Sequence, residues 1–182
     1  MRTIEFAILD WIQANLCCEF LDVALTTITK TADHGEVWIV LAVALLLIRK
    51  QRRYGATIVC GLLLDFIFCN LLLKPAVGRT RPFVLNPFVE LLIDAPEDGS
   101  FPSGHTAVSF AVVFALKTAG SPLWKPASAL ASAIAFSRMY LYVHWPTDIL
   151  GGILLGAAVG WAGTRIVDAA EQRYRSRKKG LK

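Results

Sequence analysis

The chain has 182 residues, a formal net charge of +5 and a hydrophobic share of 55%. With a mean hydropathy of +0.51, this composition argues against an ordinary soluble globule and favours a protein that resides in lipid. The cysteines have no metal-binding spacing, so neither a zinc site nor a disulfide framework is predicted: Cys17, Cys18, Cys60 and Cys69.

The N-terminal segment, residues 1–30, has apolar residues at helical spacing, but acidic residues interrupt any spanning run. We therefore predict that it forms an amphipathic helix lying at the membrane interface. In that case five spans follow and the N-terminus lies outside. If the segment itself spans, the protein has six helices and an inside N-terminus.

Five apolar stretches follow along the chain, at about 37–48, 54–73, 102–116, 126–137 and 149–164. Most are shorter than the roughly 20 residues that a span needs, so each must use flanking polar residues at the interface. No repeat or long linker divides the chain. We predict an all-α, polytopic membrane protein of about five transmembrane helices, with residues 1–182 forming one domain. Its helical core covers about 35–165, and a basic tail covers 166–182.

Basic residues predict the orientation, because Arg and Lys beside membrane spans accumulate on the cytoplasmic side. The connection from Arg49 to Arg53 is rich in them. If this connection lies inside, alternation puts residues 74–105 and 138–148 outside and the C-terminal tail in the cytoplasm. The tail is then interpreted as an anchor for anionic lipid at the cell membrane rather than a nucleic-acid binder.

Polar residues on the predicted outer side fall in three segments: 74–82 (KPAVGRTRP), 102–105 (PSGH) and 137–148 (SRMYLYVHWPTD). Lys74, Arg81 and Arg138 would meet at one depth, and three cations together favour a bound phosphate. Ser103 suits a helix start, which directs the following backbone amides, beginning at Gly104, towards an anion.

Two histidines could perform phosphoryl transfer in this setting. His144 and Asp148 are four residues apart, so the carboxylate can fix the imidazole tautomer and leave the other nitrogen as a nucleophile. His105 is then free to protonate the leaving oxygen. Arg79 is expected to contact either phosphate or lipid headgroups, and Asp65 to make a packing hydrogen bond to a neighbouring helix.

The three segments resemble the signature of the type 2 phosphatidic acid phosphatase family, which shares its site with vanadium haloperoxidases. That signature has a lysine separated from Arg-Pro by six residues, a Pro-Ser-Gly-His, and a Ser-Arg followed by spaced His and Asp residues, all without substitution here. The resemblance implies a phosphohistidine on His144 supported by Asp148, and His105 as general acid. It also implies a phosphate site without metal or cofactor, formed by Lys74, Arg81, Ser103, Gly104 and Arg138.

From this resemblance we expect a lipid phosphatase embedded in the cell membrane, with its site on the extracytoplasmic side. Undecaprenyl pyrophosphate is the favoured substrate, and phosphatidylglycerol phosphate, phosphatidic acid and lipid A phosphate are alternatives. The rival from another class is a non-catalytic lipid-phosphate carrier. The expected partners are the lipid substrate and the bilayer, with no nucleic acid and no obligatory protein partner.

Overall fold

The computed structural model describes residues 2–180, and every regular element in that range is helical. This confirms the predicted all-α class, and each predicted apolar stretch overlaps a helix. The helices are α1 (Arg2–Leu16), α2 (Glu19–Lys30), α3 (Glu36–Leu47), α4 (Arg52–Asp65), α5 (Lys74–Val77), α6 (Pro82–Leu85), α7 (Gly104–Thr118), α8 (Trp124–Tyr140) and α9 (Pro146–Gly180), with a 3-10 turn at Arg49–Gln51 and a π-helix at Phe66–Leu73.

The N-terminal segment forms two helices, which corrects the predicted single amphipathic helix. The break lies at Cys18, whose backbone is extended and whose N–H donates to the Tyr140 hydroxyl at 3.3 Å. That hydroxyl in turn donates to Asp22 at 2.5 Å. Glu19 and Asp22 lie in the first turn of α2, where negative charge favours a helix start.

Two helical stretches, Arg49–Leu85 and Pro146–Lys178, are long and apolar enough to cross a membrane, and Glu36–Leu47 is apolar but shorter. Large apolar side chains project outward from α3, α4, the π-helix and α9, including Val40, Leu47, Leu63, Phe66 and Leu154. Such a surface is typical of contact with lipid. The number of spans stays a prediction.

The basic C-terminal segment continues α9, which is helical as far as Gly180. This helix has 35 residues and is therefore about 52 Å long. Arg53 connects this part of α9 to α4 and to the end of α7, because its guanidinium donates to Asp168 at 2.5 Å and to the Ala119 carbonyl at 3.1 Å.

The main core lies between α3, α4, α7 and α8. Trp38 is buried there, and its indole N–H donates to Ser109 at 3.0 Å. Ile58 and Leu116 fill the same core.

Glycines let α9 pack closely against α7, and this contact places the polar segments together. A Cβ at Gly156 would lie 2.5 Å from the Ala107 carbonyl oxygen, and one at Gly160 would clash with Ala111. Small residues spaced by four allow two helix backbones to approach in this way. Since the Ser103 N–H donates to the Asp148 carbonyl at 3.1 Å, the starts of α7 and α9 lie side by side.

Candidate active site

One cavity of about 1170 Å³ collects most of the predicted site residues. Of the predicted residues, its wall includes both histidines, the three phosphate-binding cations and the glycine: Lys74, Arg81, Gly104, His105, Arg138 and His144. Asp148 and Arg79 lie behind His144 instead, and Ser103 is also outside the wall, where its hydroxyl accepts a hydrogen bond from Thr106 at 3.0 Å. The imidazoles and the cations therefore face one enclosure.

His144 is 1% exposed, and its two ring nitrogens have different surroundings. Arg81 Nη1 lies 3.2 Å from Nε2 and also donates to the Val143 carbonyl at 2.8 Å. Because a guanidinium only donates, Nε2 must accept and Nδ1 must carry the proton. Nδ1 lies 3.5 Å from Asp148 Oδ2, a distance that can shorten once the ring is charged. This arrangement matches a nucleophile with its orienting acid.

The Asp148 carboxylate is held on both oxygens. Oδ2 accepts from the Trp145 backbone N–H at 2.9 Å, and Oδ1 accepts from Arg79 Nη1 at 2.6 Å. Arg79 Nη2 donates to Glu5 at 2.8 Å. The guanidinium of Arg79 thus contacts carboxylates, whereas the sequence suggested phosphate or headgroups.

Electrostatics keep His144 neutral. Burial, together with the positive charges of Arg81, Arg138 and Lys74, holds the pKa of His144 well below its ordinary value. The neutral imidazole leaves Nε2 unprotonated, which is the state that a histidine nucleophile needs at neutral pH.

His105, in the first turn of α7, has a different acidic partner. Its Nε2 lies 3.0 Å from Asp33 Oδ1, in the connection between α2 and α3. Asp33 was not predicted as a site residue, because no spacing links it to the PSGH segment. The site therefore contains two histidine and aspartate pairs.

A second unexpected carboxylate, Asp98, bridges two of the cations. Lys74 Nζ donates to its Oδ2, and Arg81 Nη2 donates to its Oδ1 at 2.6 Å. Burial raises the pKa of Asp98, but the hydrogen bonds from Lys74 and Arg81 outweigh burial and bring the pKa below its ordinary value. The carboxylate therefore stays charged and occupies donors that a phosphate would use.

Arg138 lines the cavity and has one buried donor without a partner in the described part of the chain. Its Nη1 donates to Thr29 at 2.7 Å, whereas its buried Nε has no hydrogen-bond partner among residues 2–180. Gly104 leaves room beside Lys74, since a Cβ there would lie 3.4 Å from Nζ. These groups suit a tetrahedral anion.

Two further polar residues line the cavity wall, Asn70 at the centre of the π-helix and Asp65 at the end of α4. Asn70 was not predicted as a site residue, because the sequence marks it only as a polar residue within an apolar run. The hydrogen bond predicted for Asp65 is not made by Oδ1, which is buried and has no partner in the described part of the chain. A π-helix inserted in an α-helix is common at functional sites.

Comparison with known proteins places this arrangement in a family. Residues 54–172 match the PAP2 superfamily, and the chain belongs to that superfamily. It is similar to an undecaprenyl-diphosphatase of Sulfolobus acidocaldarius, at 33% identity over 71% of this chain and 63% of that protein. It is also similar to a decaprenylphosphoryl-5-phosphoribose phosphatase of Mycobacterium tuberculosis, at 33% identity over 80% of this chain and 79% of that protein.

Solved structures agree with this assignment. LpxE of Aquifex aeolicus superimposes with a TM-score of 0.76, at 27% identity over 88% of this chain and 94% of that one. A transmembrane phosphatidylglycerolphosphate phosphatase of Bacillus subtilis shares the fold, with a TM-score of 0.71 and 21% identity over 94% of this chain and 86% of that one. The predicted family is confirmed, and the phosphatase names of the relatives support the predicted class of enzyme.

Proposed function

We propose that this chain is an integral-membrane lipid phosphatase that removes the terminal phosphate of a lipid pyrophosphate, with undecaprenyl pyrophosphate as the favoured substrate. The observation that carries the proposal is the setting of His144. Its unprotonated Nε2 belongs to a cavity lined by three cations, while Nδ1 faces Asp148. A site that only binds phosphate needs the cations but not the oriented imidazole.

The reaction divides into two transfers. His144 Nε2 attacks the terminal phosphorus, the bond from phosphorus to the leaving oxygen breaks, and His105 donates a proton to that oxygen. Lys74, Arg81 and Arg138 stabilise the charge that spreads over the remaining phosphate oxygens. In the second transfer His105 takes a proton from water, whose oxygen displaces the phosphate from Nε2.

The wall of the cavity supports a lipid substrate. Apolar side chains of α3 and α4 continue from the cations: Ile39, Val43, Leu62 and Leu63. A phosphate at the cations would therefore have its tail beside apolar helices. The names of the Sulfolobus relative and of a Bacillus subtilis undecaprenyl-diphosphatase, 28% identical over 81% of this chain, favour a polyprenyl pyrophosphate. Phosphatidylglycerol phosphate, phosphatidic acid and lipid A phosphate are the alternatives.

The same proposal includes the orientation in the cell membrane. Five spans formed around α3, α4, α7, α8 and α9 would leave α1 and α2, whose acidic residues interrupt any spanning run, at the interface. The basic end of α9 would lie in the cytoplasm and the cavity on the extracytoplasmic side.

Phosphate release from a lipid panel tests the proposal. The purified protein is assayed in detergent with undecaprenyl pyrophosphate, phosphatidylglycerol phosphate, phosphatidic acid and lipid A, with and without a strong chelator. We expect the highest kcat/KM with undecaprenyl pyrophosphate and no loss on chelation. Tight binding of these lipids without phosphate release would instead support a carrier, and loss of activity on chelation would support a metal-dependent reaction.

A further inference from the structure

Glu5 is an unexpected buried charge in α1. It is only 5% exposed, although its helix presents Ile4, Ile8 and Trp11 to the surroundings. A buried carboxylate is unfavourable unless charged or hydrogen-bonding groups compensate it. Here one oxygen accepts from Arg79 Nη2 at 2.8 Å, and the other accepts from the Thr147 backbone N–H at 3.3 Å and from the Thr147 hydroxyl.

Arg79 connects Glu5 to the acid of the nucleophile pair. Its Nη1 donates to Asp148 Oδ1 and to the Thr147 hydroxyl, both at 2.6 Å, and its guanidinium lies 5.3 Å from the ring centroid of Trp145. With Oδ1 fixed in this way, Oδ2 is the oxygen that faces His144 Nδ1. The orientation of the Asp148 carboxylate therefore depends on Arg79.

The contact with Arg79 also creates an electrostatic problem. When His144 attacks phosphorus its ring becomes positively charged, and Asp148 must stabilise that charge. A guanidinium on the same carboxylate opposes the stabilisation. Glu5 offsets Arg79, because the three charges of Glu5, Arg79 and Asp148 sum to −1 rather than to zero.

We propose that Glu5 is a positioning residue for the reaction at His144, which makes the N-terminal helix a part of the active site. The inference rests on the proposed function, in which His144 is the nucleophile. Glu5 lies outside residues 54–172, the part of the chain that matches the superfamily. It acts through Arg79 and Asp148 and does not line the cavity.

The test compares Glu5→Gln with the double variant Glu5→Gln/Arg79→Gln. Glutamine keeps the size of the side chain and an oxygen acceptor but removes the charge. We expect kcat of the single variant to fall by about 10- to 100-fold with little change in KM, the size of effect seen when a carboxylate that orients a metal-bound histidine is removed. In the double variant Arg79 no longer offsets the charge of Asp148, so we expect the acidic limb of kcat/KM to return towards that of the wild type, and kcat to recover only in part because Asp148 has lost the contact that orients it.

The pH profile supplies a readout that a purely structural role would not change. His144 is faced by Asp148 on one side and by Lys74, Arg81, Arg138 and His105 from the cavity. Without the Glu5 charge its protonated form loses stabilisation, so the acidic limb of kcat/KM should move to lower pH. Glu5→Asp, which keeps the charge, should leave the limb nearer that of the wild type.

Asp10→Asn is the matched control, because Asp10 is also on α1 and accepts from the Tyr142 hydroxyl at 2.6 Å in the loop that carries His144. Its kcat and pH limb should match the wild type. Wild-type kcat in Glu5→Gln, or a double variant slower than the single one with an unmoved limb, would overturn the role of Glu5. Failure of the wild-type protein to release phosphate from any lipid would overturn the proposed function instead.

Discussion

The two histidines of the cavity lie in contrasting environments. His144 is 1% exposed, and its acid, Asp148, is fully buried and held on both oxygens by other groups. The side chain of His105 is 17% exposed, and its acid, Asp33, is 47% exposed in a connection between helices. Similar chemical pairs therefore differ in rigidity and in access to water.

This difference fits a division of labour. A nucleophile must keep one tautomer and one orientation through both transfers, which burial and multiple hydrogen bonds provide. A general acid that later accepts a proton from water benefits from a site that water can reach. Asp98 is also exposed: its carboxylate is 51% exposed and pairs with Lys74 and Arg81, the cations that a phosphate would use. We therefore expect substitutions around buried His144 to lower kcat strongly. Substitutions at the more exposed Asp33 and Asp98 should have smaller effects, which depend on the substrate or change KM.

The largest effect is expected on the buried side. His144→Gln removes the proposed nucleophile but keeps a polar side chain, and kcat should fall by at least about 10³-fold. Phosphate release from undecaprenyl pyrophosphate measures it. His34→Gln is the control, since His34 bonds to Glu36 at the protein surface, and it should retain wild-type turnover. Substantial turnover in His144→Gln would assign the nucleophile to another residue.

Arg138→Gln should reduce kcat by about 10²-fold, because one donor to the developing phosphate charge is lost. The same substitution also predicts the direction in which the pH dependence of kcat/KM changes. Since burial and the neighbouring cations lower the pKa of His144, the acidic limb of wild-type kcat/KM should lie below about pH 6.5. Removing the Arg138 charge should move that limb to higher pH. A limb that does not move would mean that another group titrates there, and Arg173→Gln, near the end of α9, serves as control.

Asp33→Asn tests the exposed pair. Loss of the carboxylate should weaken proton donation by His105, and kcat should fall by about tenfold for a lipid monophosphate, whose leaving oxygen needs a proton. The effect should be smaller for a pyrophosphate, whose leaving group is a phosphate. Glu36→Gln in the same connection is the control. Equal losses for both substrates would indicate that Asp33 has a structural role only.

The smallest effect is expected for Asp98→Asn. The Asp98 carboxylate competes with phosphate for Lys74 and Arg81, so its removal should lower KM by about two- to fivefold with little change in kcat. Inhibition by inorganic phosphate should strengthen to a similar extent. Glu97→Gln changes the neighbouring exposed acid and should leave KM unchanged. A raised KM in Asp98→Asn would show that the carboxylate holds the cations in place for the substrate.

Much of the site was predictable because its motif residues lie at helix starts and ends on one side of the molecule. Lys74 follows an apolar helix, Arg138 ends α8, and His105 lies in the first turn of α7. Alternation of apolar helices brings such positions together without any knowledge of side-chain contacts. The positions of α3, α4, α7, α8 and α9 followed from the five apolar stretches, each of which overlaps one of these helices.

The supporting carboxylates were not predictable from spacing. Glu5 and Arg79 are 74 residues apart, and Asp33 and His105 are 72 residues apart. Neither pair has a local pattern, and their contacts depend on how α1 and the connection after α2 dock onto the helical core. The break at Cys18 was missed for a similar reason, since the Tyr140 hydroxyl that satisfies its amide lies 122 residues away.

Covalent trapping of the phosphoryl group tests the central assignment most directly. Purified protein is mixed with undecaprenyl pyrophosphate carrying a labelled terminal phosphate, quenched within one turnover under alkaline conditions that preserve phosphohistidine, and digested for peptide mapping. We expect the label on the peptide containing His144, on Nε2, and no label in His144→Gln. Label on a different residue, or full turnover by the wild-type protein with no trapped label at any quench time, would contradict the account.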